Sequence, residues 1–325
     1  GRMADAGSGV YLYDAFGNLN LIYRDPAIGS ECPIPLKARL KPPAASAETL
    51  EASREEGYFV VSDVEMGLTG IAKGTVKRLR LVGIPVKTHP TMNYPELGLT
   101  REDPGKFVLG TVPVEADGSA YFRVPAGVSL FFQALDDKGM AVRTMRTAVY
   151  VQPGQVVSCV GCHEPRNTTP SNRPIAALNR DPSLITPGPE GSWPFDYDKL
   201  VQPVLDRHCV KCHQPGEKAA AWDLTPGASY KTLVNYGRPS LAEANSAAYR
   251  RGRSLPGEGM ARMNALWDVL AKGSGASVTP EDRERLIIWM DLYGQRRGYF
   301  DDAQYQELLQ LREKWRDLLA TRDSE

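Results

Sequence analysis

Two five-residue strings constrain this chain more than anything else in it: Cys159-Val160-Gly161-Cys162-His163 and Cys209-Val210-Lys211-Cys212-His213. Each is a C-x-x-C-H, the spacing that attaches a c-type haem. The two thiols add across the two vinyl groups of one porphyrin, and the adjacent imidazole then lies beneath the ring to ligate iron. The chain holds 5 cysteines and 4 histidines, so the motifs take most of the first and half of the second. The competing reading is a zinc ion held by two C-x-x-C knuckles. Against it, 46 residues separate Cys162 from Cys209, whereas paired knuckles usually lie about 15–20 residues apart. The sequence therefore predicts two covalently attached haem c groups. Cys159, Cys162, Cys209 and Cys212 are the attachment residues, and His163 and His213 the proximal ligands. Because haem is attached outside the cytoplasmic membrane, an exported, periplasmic protein is expected.

Cys32, in Ser30-Glu31-Cys32-Pro33, is left over. It reads as a buried small apolar residue or as a candidate metal ligand.

Composition narrows the partners. With 39 Lys+Arg against 39 Asp+Glu there is no net field to draw nucleic acid or an anionic membrane surface. The longest apolar runs, such as Leu286-Ile287-Ile288-Trp289-Met290, fall far short of the ~20 residues of a membrane helix, so no membrane insertion is expected. The start, Gly1-Arg2-Met3, reads as a processed or recombinant end. At 325 residues, about two domains are expected.

The first half reads as β. Val10–Tyr13 and Leu19–Tyr23 flank Phe16-Gly17-Asn18, a hairpin signal. Segments 58–64, 76–82, 107–114, 120–124, 128–135 and 141–151 continue the series, with turns at Asp117-Gly118, Ala126-Gly127, Lys138-Gly139 and Pro153-Gly154. From Pro165 to Pro194 there are seven prolines in 30 residues, which opposes helix and central strand alike. After it the period becomes helical: Tyr197 to Arg207 leads into the second motif, Thr279-Pro280-Glu281-Asp282 is a helix start, and residues 301–321 carry an apolar stripe of Leu308, Leu311, Trp315, Leu318 and Leu319. That stripe serves internal packing or a homo-oligomer contact. The expected fold class is α+β. An antiparallel β-sandwich-like domain (1–158) ends at the first motif, a haem-attachment segment and Pro-rich connector follows (159–195), and a mainly helical cytochrome c-like domain (196–325) carries the second.

A haem with two strong axial ligands moves electrons, and one with an open site binds and transforms small molecules. Candidates for the distal position are few. His208 directly precedes Cys209 and cannot reach the far face of its own haem, so it reads as a hydrogen-bonding or core histidine. His89, in the loop Lys87-Thr88-His89-Pro90, is the better free ligand. Met260 and Met263 follow a Gly-rich loop, and Met140 and Met145 precede the first motif; a Met ligand would raise the potential relative to two His.

Several strings taken together resemble the hydrazine synthase alpha subunit family: 11–18 (YLYDAFGN), 23–26 (YRDP), 74–80 (GTVKRLR), 109–114 (LGTVPV), 150–154 (YVQPG), 159–166 (CVGCHEPR) and 204–209 (VLDRHC). The resemblance is to that family's middle and C-terminal haem domains, without its β-propeller. It implies a catalytic first haem that unites nitric oxide with an ammonium-derived nitrogen, and a second, bis-His haem that relays electrons. The family binds its first iron through a tyrosine just after the motif, with a zinc ion nearby. Here Glu164 to Thr169 contain no tyrosine, which leaves His163 as first-haem ligand and makes Cys32 and His89 the zinc or distal candidates.

The leading functional reading is an exported dihaem electron-transfer module that serves a redox partner protein or further domains of a larger assembly. The alternative is an oxidoreductase with an open first haem, acting on small nitrogen species or peroxide, with Arg143, Arg146, Arg166 and Tyr150 in its pocket. A ligand sensor coupled through the C-terminal helix is the third.

Overall fold

The computed structural model describes residues 8–41, 55–91, 93–100, 103–162, 172–272 and 278–320. It divides the chain into two compact units, Gly1–Ala45 and Ser46–Glu325. In the first, β1 (Val10–Tyr13) and β2 (Leu19–Tyr23) form the expected antiparallel hairpin. Its turn is closed by the Asp14 carboxylate, which accepts from the amides of Phe16 and Asn18 and from the Asn18 side chain at 2.8–3.0 Å. Gly17 takes the left-handed φ of 89° that such a turn favours.

In the second unit every strand precedes every helix. β3 (Glu56–Val61) sits between β6 (Ala120–Pro125), antiparallel to it, and β9 (Val156–Cys159), parallel to it. A second, antiparallel sheet has the order β5 (Phe107–Pro113), β4 (Arg78–Ile84), β7 (Ser129–Leu135), β8 (Ala141–Thr144). Alternate residues of β7 point to opposite faces. Leu130, Phe132 and Ala134 join one apolar cluster with Phe59 and Phe122 of the other sheet, while Phe131 joins a second cluster made chiefly by the helices. Strands covered on both sides read as continuous apolar runs, which is why 128–135 lacks alternation.

The helices are α1 (Tyr197–Leu200), α2 (Gln202–His208), α3 (Ser229–Val234), α4 (Leu241–Arg251), α5 (Met260–Met263), α6 (Ala265–Lys272), α7 (Pro280–Asp291) and α8 (Asp302–Lys314). The expected α+β class is therefore observed. The stretch 197–207 is two helices rather than one, because Pro203 brings no N–H to the ladder at the start of α2. α7 starts as expected: Thr279 Oγ1 accepts from the Asp282 amide at 3.1 Å, with Pro280 at the first position. The apolar stripe of α8 and the turn after it is spent internally, with Leu308, Trp315 and Leu318 buried in the sheet–sheet cluster and Leu311 and Leu319 packed on it. That face is not left for a second copy.

Sheet and helices are locked by one buried polar network. Asp291, at the end of α7, accepts from Arg80 of β4 (3.3 Å), the Ala141 amide of β8 (2.8 Å) and the Ala261 amide of α5 (3.0 Å). Gln133 of β7 donates to the Asp291 carbonyl (2.8 Å) and accepts from Arg80 (2.8 Å). Gly259 lets α5 approach β8 this closely: a Cβ there would lie 1.7 Å from the Ala141 carbonyl oxygen.

Candidate haem-attachment sites

The second motif grows out of the end of α2. Cys209 caps that helix, its amide bonded to the Leu205 carbonyl. The chain then turns tightly, so that the amides of Cys212 and His213 both reach the Cys209 carbonyl at 3.1 and 3.0 Å. One turn thus gathers both thiols and the imidazole. Cys209 and Val210 pack on the sheet–helix cluster, as Tyr236 and Trp267 also do, whereas Cys212 is exposed. Burial, and secondarily the nearby Cys212, push the Cys209 thiol pKa up.

His213 is oriented by the backbone. Its Nδ1 lies 3.0 Å from the Trp222 carbonyl oxygen. A carbonyl only accepts, so Nδ1 carries the proton and Nε2 holds the lone pair. Fixing one ring nitrogen on a carbonyl is how proteins present the other to a metal. Two thiols unlinked by any disulfide, one imidazole with a defined ligating nitrogen, and a flanking apolar wall suit the second motif to a covalently bound haem.

The first motif is placed by a strand. Cys159 ends β9 and pairs with Val61; the Ser62 and Asp63 amides donate to the carbonyls of Cys159 and Val160 at 2.9 and 3.0 Å. Gly161 is required by a close approach, since a Cβ there would meet Met66 Cβ at 2.6 Å and its carbonyl at 2.8 Å. Cys159 and Cys162 pack on the sheet–sheet cluster, so the two motifs rest on different cores. The half-buried Arg143 lies within electrostatic reach of Cys162 and Arg253. Burial is the main influence that lowers its pKa. His163, Glu164 and Arg166 lie outside the described residues.

The remaining candidates are dispersed. His89 Nδ1 accepts from the Thr91 amide at 3.2 Å, which puts the proton on Nε2, and its ring packs edge-on against Tyr94. Lys87 fastens this loop by donating to the carbonyls of His89, Thr91 and Tyr94. His208 donates from Nε2 to Asp282 at 2.8 Å, the hydrogen-bonding role expected for it. Met260 is buried between α5 and α7, and Met263, on the same turn, is 43% exposed. Met140 is buried and Met145 touches both clusters. Tyr150 is exposed. Cys32 is exposed, not buried, at a left-handed φ of 53°, in a first unit none of whose described residues is buried. Among the described residues, no three His, Cys, Asp or Glu side chains are grouped to hold a metal ion, and no helix is long and apolar enough to cross a membrane. Sequence reasoning missed the Trp222 carbonyl that orients His213, because a backbone acceptor in a loop leaves no residue-type signal.

Residues 74–164 match the family model of the hydrazine synthase alpha subunit middle domain. Over 56 residues the chain is 41% identical to hydrazine synthase subunit alpha of Kuenenia stuttgartiensis, a match that covers 17% of this chain and 7% of that protein. The fold is similar to the solved Kuenenia stuttgartiensis hydrazine synthase, with a TM-score of 0.52 at 18% identity over 78% of this chain and 44% of that one. The chain thus spans less than half the length of the solved relative.

Proposed function

We propose that this relative of the hydrazine synthase alpha subunit is an exported dihaem c-type cytochrome module that transfers electrons, within a larger assembly or to a redox partner protein. The observation that carries the reading is the His213–Trp222 bond in the turn that carries Cys209 and Cys212, which orients Nε2 as the ligating nitrogen. A haem c bound at each motif supplies reversible one-electron chemistry. The chain's own part is to anchor and orient. The Cys209-to-His213 turn fixes ligand and thiols together, the apolar cluster on which Cys209 and Val210 pack would shield a bound ring from water, and β9 positions Cys159 of the first pair. The helical segment that carries the second motif is read as cytochrome c-like.

A second reading, an oxidoreductase with an open first haem, is favoured by one observation. Arg143 is half-buried and within electrostatic reach of Cys162, where a cation would stabilise a bound anionic species. The absence of a tyrosine in 164–169 sets such chemistry apart from that implied by the family.

The test is haem quantification by pyridine haemochrome with low-temperature electron paramagnetic resonance of the oxidised protein. Two haems per chain, both low-spin, are expected, and Cys209→Ser/Cys212→Ser should leave one. A high-spin first haem that binds carbon monoxide would move the assignment to the oxidoreductase, and no covalent haem would overturn both.

A further inference from the structure

A cavity of about 210 Å³ lies where the end of the sheet meets α4 and the turn after α7. Its wall includes Asp103, Lys106, Thr144, Arg146, Asn245 and Tyr293. Lys106, just before β5, is only 4% exposed, and its Nζ has no hydrogen-bond partner. The nearest carboxylate oxygen, Asp103 Oδ1, is 3.8 Å away, an ion pair too long for a hydrogen bond. Asp103 Oδ2 is already engaged by the Thr100 amide at 3.2 Å. The buried ammonium thus has one carboxylate at long range and no hydrogen-bond acceptor among the described residues, a costly arrangement that proteins keep where a ligand supplies the acceptor. Burial pushes the Lys106 pKa down and Asp103 opposes it only in part. Arg146 stands at the open end, bonded to the Ala248 carbonyl through one Nη at 3.4 Å, with its other donors uncommitted among the described residues. Among the described residues, two cations face one carboxylate, so the described wall carries a surplus of one positive charge.

We propose that this cavity is a receptor for a single carboxylate, with Lys106 at its floor and Arg146 at its mouth. A singly charged planar oxyanion matches the surplus charge and gives Lys106 its missing acceptors. Two sources share that chemistry: a free small acid, or a propionate of a haem at the first motif. The second is suggested by Tyr293, on the cavity wall, which interacts electrostatically with Arg143, as does Cys162 of the first motif.

Isothermal titration of the full chain with sodium acetate at constant ionic strength, referenced to sodium chloride, separates the outcomes. For a free acid, acetate binds with one-to-one stoichiometry, Lys106→Met weakens it at least ~10-fold and Asp103→Asn strengthens it roughly threefold. For a propionate, acetate does not bind, but Lys106→Met shifts the propionate bending band in the resonance Raman spectrum of the holoprotein. The proposal is overturned if Lys106→Met binds acetate as well as wild type does, or if acetate fails to bind and the propionate band stays put. Lys106→Gln, which keeps a donor, serves if the methionine variant does not fold. The acetate arm needs no haem, so its result is distinct from that of the haemochrome assay.

Discussion

Asp282 is the side chain on which the approach to the second motif leans. It accepts from His208 and Arg207, the two residues immediately before Cys209. Burial alone would raise its pKa, but hydrogen bonds from Arg207 and His208 more than reverse that and hold the carboxyl below its ordinary value. A folded-state pKa below the unfolded one means the stabilisation is complete above about pH 4 and is lost as pH falls through the folded value. Asp282→Asn should therefore cost about 1–3 kcal/mol at pH 7, and its urea unfolding curve should converge with wild type on acidification towards pH 3. A gap that persisted at low pH would detach the effect from the charge. At this scale the sequence was informative where residue type decides the role. The two motifs are plain in the sequence, and adjacency to Cys209 keeps His208 from the far face of its own haem. The sequence was silent where geometry decides: nothing in Pro104-Gly105-Lys106-Phe107 marks that lysine as buried, and of the two readings of Cys32, buried residue or metal ligand, its exposure removes the first.

Elements follow the same division. The start of α7 was legible because Thr279, Pro280 and two acids each satisfy a stated need of a helix N-terminus, and Thr279→Ala should lower stability by about 1 kcal/mol in thermal unfolding. The strands of the second sheet were legible from their apolar, β-branched runs. The stretch 141–151 was read as one strand but pairs continuously only to Thr144; Leu130 then meets Val149 in an isolated bridge. β9, with just four residues and a parallel partner nearly a hundred positions away, leaves no local signature. Close approaches are equally hidden. Gly259→Ala would drive a methyl into the Ala141 carbonyl and should cost about 1–3 kcal/mol or more through displacement of α5. Gly252→Ala meets open space at its φ of 70°, so only the conformational penalty of about 1 kcal/mol applies. Equal losses at the two glycines, measured by urea midpoints, would argue against the contact.

For the Ser46–Glu325 unit as a whole, the decisive question is whether sheet and helices unfold together. Their apolar cores form two clusters, one between the sheets and beneath α8, the other between the second sheet and the remaining helices, with Met145 packed on both, so cooperation depends on what crosses the boundary. The Arg80–Gln133–Asp291 network does so, reaching β4, β7, β8, α5 and α7. Burial pushes the Asp291 pKa up while Arg80 and the two amides pull it down. Both carboxylate oxygens receive donors and neither faces an acceptor, which is the pattern of an ionised group balancing Arg80. Removing one partner strands a charge in the interior. Asp291→Ala should therefore cost about 3–5 kcal/mol, whereas the paired change Arg80→Met/Asp291→Leu should recover much of that by replacing the ions with apolar volume. Its double-mutant cycle should give a coupling energy of at least about 1 kcal/mol. If the network is what makes the unit cooperative, Asp291→Ala should also split the single urea transition into two when tryptophan fluorescence and far-ultraviolet circular dichroism are followed together, because the two clusters would then lose their common tie. A single coincident transition in that variant would assign the cooperation instead to the apolar contact of Val82, Phe131 and Met140 with the helices.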